Sequence, residues 1–147
     1  MDRRKFISAV VALGSTGVAG CSGDGDGGDD GSEELISDSI VAEEGEYYTW
    51  DLTINSAGTL QHDLIVRDGP SIDFAVFEPS EFEAYENEER ARYLSGPSEL
   101  DTENYQDSAE YPEGEYKVVV DNTDWGEAAP PTNLDNDMAE VEITITN

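Results

Sequence analysis

Cysteine occurs once in these 147 residues, at Cys21, histidine once, at His62, and lysine twice, at Lys5 and Lys117. A single thiol excludes internal disulfides and thiolate metal cages. Blue copper needs two histidines, a cysteine and usually an axial methionine, so it is excluded as well. No Gly-x-Ser-x-Gly elbow and no phosphate-binding glycine loop occurs, and the Gly/Asp run after Cys21 lacks a following strand or lysine. Asn-x-Ser/Thr is absent too, so N-glycosylation is not expected. With only seven Lys and Arg the chain has no basic stripe to neutralise phosphates, which excludes nucleic acid as a partner. The one N-terminal apolar run, residues 7–18, is interrupted by Ser8, Gly14, Ser15, Thr16 and Gly17 and is too short and weak to span a bilayer.

Acid is what the chain has in excess. Thirty-five Asp and Glu set the net charge at −28. Asp2, Arg3, Arg4 and Lys5 all precede Cys21; without them four bases face 34 acids, a net charge of −30. In dilute salt such a surface repels itself. At molar salt the Debye length shrinks to about 3 Å and the repulsion is screened. Acidity with scarce lysine therefore reads as adaptation to concentrated salt. The opposing reading, an acidic disordered chain, conflicts with seven Tyr, two Trp, four Phe and clear apolar alternation.

The first twenty residues read as an export signal, with a charged start, a modest apolar segment and small residues before a cleavage point. Arg3-Arg4 followed by Phe6 resembles a twin-arginine signal, the kind that exports folded proteins. Val18-Ala19-Gly20-Cys21 resembles a lipobox, which would make Cys21 the lipidated mature N-terminus and membrane lipid its partner. A two-chain anchor holds stably where one chain holds only marginally. Residues 22–34 carry Gly, Asp, Ser and Glu but no large apolar side chain, as a flexible, self-repelling tether does. Thirteen such residues reach on the order of 20 Å as a coil. The expected organisation is a signal at 1–20, the lipidated cysteine and tether at 21–34, and one domain at 35–147, on the extracellular face of the cell membrane.

From Leu35 onward the apolar period is two. Tyr48, Trp50, Leu52 and Ile54 alternate with polar residues, and so do Leu60, His62, Leu64 and Val66 after the Ser56-Ala57-Gly58 turn. These two runs read as a hairpin. Ile72, Phe74 and Val76 form a third strand. Ser80 with Glu83 resembles a capping box opening a short helix that carries Phe82 and Tyr85. Residues 90–94 and 99–105 read as short strands. Tyr116, Val118 and Val120 alternate, as do Val141, Ile143 and Ile145 at the end. One apolar and one polar face per strand is the mark of antiparallel sheets. Seven or eight strands and one short helix therefore predict an all-β fold, an antiparallel β-sandwich of jelly-roll or immunoglobulin-like type, with a closed barrel as the alternative. Glu44-Gly45-Glu46-Tyr47 and Glu113-Gly114-Glu115-Tyr116 read as two similar turns entering strands rather than as an internal repeat.

The run "EGEYYTWDLTI", then "IDFAVF", the Phe82/Tyr85 segment and "EGEYKVVVDNT" is similar to pre-peptidase C-terminal and GOLD-like domains, over about residues 36–146. That resemblance implies a small β-sandwich serving as an accessory or binding module, with no catalytic residues to carry over. The lipobox and acidity also resemble those of haloarchaeal lipoproteins exported by the twin-arginine route.

Candidate chemistry is sparse. His62 shares a face with Leu60 and Leu64, as a satisfied core histidine does. Carboxylate pairs carry no information when 34 acids supply them by chance. No catalytic residue is nominated, and the chain reads as a non-enzyme. The candidate contact site is the loop Asp121, Asn122, Asp124 and Trp125, with Asn133, Asp135 and Asp137 beyond it. Its oxygens suit Ca²⁺ in type but lack EF-hand spacing, so no cofactor is required. Trp125 either caps the open end of the sandwich or stands as a platform for a sugar ring or a partner's side chain. The function expected is a membrane-anchored, non-catalytic binding or adhesion module meeting an envelope protein or glycan. The alternative is an accessory or substrate-holding lipoprotein subunit of a membrane enzyme or transporter.

Overall fold

The computed structural model describes residues 33–128 and 137–147, together with the backbone of 5–8. Arg3, Arg4, Cys21, most of the tether, Asn133 and Asp135 lie outside the described residues. The elements are β1 (Lys5–Ser8), β2 (Glu34–Ala42), β3 (Glu46–Ile54), β4 (Gly58–Asp68), β5 (Ile72–Phe77), α1 (Pro79–Glu86), β6 (Glu99–Thr102), β7 (Asn104–Tyr111), β8 (Gly114–Asn122) and β9 (Ala139–Thr146).

The antiparallel pairs are nested: β2 with β9, β3 with β8, β4 with β7, β5 with β6. Further bonds join β4 to β9 and β5 to β8. The chain is therefore one long hairpin rolled into two sheets, β2-β9-β4-β7 and β1-β3-β8-β5-β6. This is a jelly roll. An immunoglobulin-like chain keeps its first two strands side by side, whereas β2 and β3 lie in different sheets. The two sheets are separate, which sets aside the closed barrel.

That topology corrects the expected hairpin. β3 and β4 belong to opposite sheets, and residues 55–57 carry the chain across the sandwich. Tight two-residue hairpins depend on positive φ in the turn, and none of Ser56, Ala57 and Gly58 has it. Residues 90–94 form no strand, although the Leu94 N–H donates to Val76 O at 2.8 Å. The 99–105 strand is two, β6 and the start of β7, broken at Glu103. The helix starts one residue before Ser80: Pro79 sits in the first turn and Glu78 caps without a side-chain bond. Proline suits that position because its fixed φ is helical and its missing N–H would have had no partner. β1, within the segment read as a signal, runs parallel to residues 46–49 on the free edge of β3. An open edge is a template for any extended segment.

The inner faces interdigitate as the period-two pattern predicts. Trp50, Leu52, Phe74, Val76, Val118 and Val120 from one sheet meet Ile36, Leu64, Val141, Ile143 and Ile145 from the other. Burying each such side chain contributes roughly 1.5–3 kcal/mol. The indole N–H of Trp50 donates to Asp38 Oδ2 at 3.2 Å, so the largest core side chain leaves no polar group unsatisfied. β5 is buried along its whole length, on both faces. Its outer residues Ala75 and Phe77 join Tyr47, Val119, Phe82 and Tyr85 in a second cluster, where α1 covers the outside of the sheet.

The two Glu-Gly-Glu-Tyr entries sit at opposite ends of the β3/β8 pair, with Glu46 facing Asn122 and Ile54 facing Gly114. Gly45 takes φ +85, a conformation that favours glycine. Tyr47 joins the outer cluster and Tyr116 the inner core, so the likeness is one of turns.

Candidate functional site

After β8 the chain turns back over the outer face of its own sheet. Two carboxylates at that face organise the return. Asp121 Oδ1 accepts the Thr123 N–H at 2.7 Å and the Thr123 hydroxyl, and Asp121 Oδ2 accepts the hydroxyl of Tyr85 from α1. Thr123 Oγ1 in turn accepts the Trp125 N–H at 3.1 Å. On the neighbouring strand, Asp73 Oδ1 accepts three backbone N–H groups, from Asp101 and Ala128 at 2.9 Å and from Glu127 at 3.2 Å. A β-carbon added at Gly126 would collide with Asp73 Oδ2, so only glycine lets the loop lie this close.

These bonds set Trp125 down on the outer aromatic cluster. Its ring centroid lies 5.1 Å from Tyr85, 5.6 Å from Phe77 and 6.2 Å from Tyr93, each in edge-to-face geometry. Trp125 is half-buried, and Tyr93 beside it is 38% exposed. An open cleft of about 250 Å³ adjoins them, lined by Tyr93, Ser95, Ser98, Glu99, Leu100 and Glu127. The pair thus presents fixed aromatic surface next to hydroxyl and carboxylate groups. Trp125 packs on the side of the sandwich, against α1, rather than over its open end.

The loop residues divide by exposure. Asp124 is exposed and free to meet a partner. Asp121 and Asn122 are not contact residues: they are 0% and 1% exposed. Asn122 donates through Nδ2 to the carbonyls of Ala42 and Asp137, both at 2.9 Å, tying the ends of β2, β8 and β9 together. Buried polar groups are held by such bonds because leaving them unpaired is costly. Among the described residues no three His, Cys, Asp or Glu side chains converge as a metal site requires.

His62 is 4% exposed and ringed by Phe74, Tyr105 and Tyr111. Nδ1 lies 3.3 Å from the Asp107 carbonyl, which can only accept, so Nδ1 carries the proton. Nε2, 2.7 Å from the Tyr111 hydroxyl, then accepts. Burial lowers the imidazole pKa, against smaller raising effects of the Asp107 carbonyl and carboxylate. The ring is a neutral core group, sealed from substrate. Asp73 is the residue that sequence reasoning missed. Its place between Ile72 and Phe74 had the parity of a solvent-facing acid, and no local signal marks an outer face that a distant loop will cover.

No family model matches the chain, and no curated protein matches it. Among solved structures the chain is similar to the pre-peptidase C-terminal domain of collagenase from Bacillus anthracis, known from a 1.0 Å crystal structure. The two are 11% identical with a TM-score of 0.41, over 75% of this chain and 89% of that one.

Proposed function

We propose that the protein is a non-catalytic binding module, held on the extracellular face of the cell membrane by lipid on Cys21, whose contact face is Trp125 with Tyr93. The observation that carries the contact face is the exposed edge of an otherwise packed aromatic cluster. Trp125 rests on Phe77 and Tyr85, and Tyr93 rests on Trp125, so the indole has little side-chain freedom left to lose when a partner binds. Rigid aromatic rings of this kind supply large contact area at low entropic cost. The adjoining cleft offers hydroxyl and carboxylate groups to an envelope protein or glycan. The anchor is supported by the lipobox-like Val18-Ala19-Gly20-Cys21 and the acidic, glycine-rich stretch after it. The sandwich begins soon after that stretch, where the Asn147 N–H donates to Glu33 O at 2.9 Å.

One experiment tests both halves. The full chain carries a photoreactive residue at Asp124 and is expressed at molar salt, either with Cys21 intact or as the Cys21→Ser variant. The form with Cys21 intact is expected in the membrane fraction with a discrete crosslinked adduct. The Cys21→Ser variant is expected in the medium or as uncleaved precursor. Adding Tyr93→Ala to the form with Cys21 intact should abolish the adduct. A mature-sized Cys21→Ser band retained in membranes would refute the anchor. An adduct indifferent to Tyr93→Ala would refute the contact face.

A further inference from the structure

We infer that Asp73 is the positioning residue of the Trp125 loop, forming with Asp121 a carboxyl pair that shares one proton and latches residues 123–128 onto the outer face of the sheet. Asp73 on β5 and Asp121 on β8 are register partners, directly across from each other on the same face. Both are 0% exposed. Side chains so placed have Cβ atoms roughly 4.5–5.5 Å apart. Two ionised carboxylates at that separation, cut off from water, repel strongly, and such a pair keeps one proton.

The hydrogen bonds assign the proton. Asp121 receives donors on both oxygens, from Thr123 and Tyr85, which stabilises its charged form. Asp73 is engaged on Oδ1 alone, and its Oδ2 is buried without a partner. A neutral carboxyl fits that pattern: Oδ1 accepts and Oδ2 carries the hydrogen towards Asp121. A β-carbon at Gly126 would collide with Oδ2, so the loop lies close beside that oxygen. Asp101 aims its N–H at Asp73 from a left-handed bend, φ +52, and turns its own carboxylate to the Ser71 hydroxyl.

Among the described residues, the charged and titratable groups recorded facing Asp73 are Asp121 from β8, Asp101 from β6 and Glu127 from the loop, with Tyr85 of α1 acting through Asp121. Burial raises the Asp73 pKa, the three backbone donors oppose it in part, and the Asp121 charge adds to the rise. A carboxyl whose pKa is raised on folding contributes stability that is full below the ordinary carboxylate range. That stability is lost as pH rises through the folded value. Ionising Asp73 therefore sets charge against charge under the loop and loosens Trp125.

The test uses the full chain in molar salt, which damps the general repulsion of surface acids. Asp73→Asn keeps an acceptor for the three N–H groups and puts an NH₂ where the shared proton sits, mimicking the latched state at every pH. Asp121→Asn puts an NH₂ against donors from Thr123 and Tyr85. Acrylamide quenching of tryptophan fluorescence reads the loop, because Trp50 is only 2% exposed. In the wild type, quenching should rise and the melting temperature fall as pH rises from acid. Both shifts should be absent in Asp73→Asn, with the two proteins converging at low pH. Asp121→Asn should be loosened across the range. Parallel wild-type and Asp73→Asn curves would overturn the latch, and so would a loop opened by Asp73→Asn at all pH values. The use of Trp125 as a contact rests on the proposed function, but the latch does not. Loss of the adduct dependence with the pH response intact would remove the contact face and leave the latch standing.

Discussion

Trp125 shows how far a single residue can be read from its neighbours. Asp124 and Gly126 flank it in a loop, a setting that leaves open both a structural and a contact role. The structure gives it both, since one part of the indole lies on Phe77 and Tyr85 and the other stays in water. A fully buried aromatic costs about 3–5 kcal/mol when cut to alanine. Half that burial, with the ring contacts above, leads us to expect about 1–2 kcal/mol for Trp125→Ala, measured by denaturation in molar salt. A loss under about 0.5 kcal/mol, the range of ordinary surface sites, would mean that the indole does not pack here in solution. His62, by contrast, was legible outright. Its parity with Leu60 and Leu64 put it in the core, and only its partners, Tyr111 and the Asp107 carbonyl, needed the fold.

Among the elements, α1 has the widest consequences. Residues Pro79–Glu86 read as a short helix with Phe82 and Tyr85 on one side. That pattern does not say what the two rings cover. They cover the outside of β3, β5 and β8, and so make those strands two-sided. The unbroken apolar runs Phe74 to Phe77 and Val118 to Val120 fit this, since strands buried on both faces lose alternation. Tyr85 also joins the helix to the loop, because its hydroxyl donates to Asp121. Tyr85→Phe keeps the ring packing but withdraws that donor from a buried carboxylate. A loss of about 1–3 kcal/mol is expected on that ground, with Trp125 more open to quencher. A neutral substitution would show that the hydroxyl is not part of the loop's anchorage.

At the scale of the molecule, charge and topology act separately. The cores are apolar and the acids lie outside them, apart from the few that structure the outer face, such as Asp73 and Asp121. Surface pairs such as Arg67 with Glu142 and Lys117 with Asp51 are exposed, and pairs of that kind contribute little. Four bases cannot offset 34 acids after residue 20. Screening length falls from about 10 Å at 0.1 M salt to about 3 Å at 1 M. The melting temperature should therefore climb steeply between those concentrations of KCl or NaCl. A melting temperature indifferent to salt would contradict adaptation to concentrated salt and point to acids already neutralised by bound cations.

The sequence by itself determined the strands β3, β4, β5, β8 and β9, the residues that each turns to the core between the sheets, and the all-β class, because period-two alternation is a local property that such strands carry within them. It also determined that acid would crowd the surface, since composition alone settles that. Only the tertiary structure decided which strands are neighbours. β3 and β4 follow one another in the chain yet lie in opposite sheets, and β2 and β9 pair across almost the whole domain. Closing such distant pairs depends on how complete faces fit together, and no window of residues records it. The juxtaposition of Asp73 with Asp121 has the same origin. Two acids 48 positions apart become partners only when β5 and β8 align, and they leave water only when α1 and the Trp125 loop close over them.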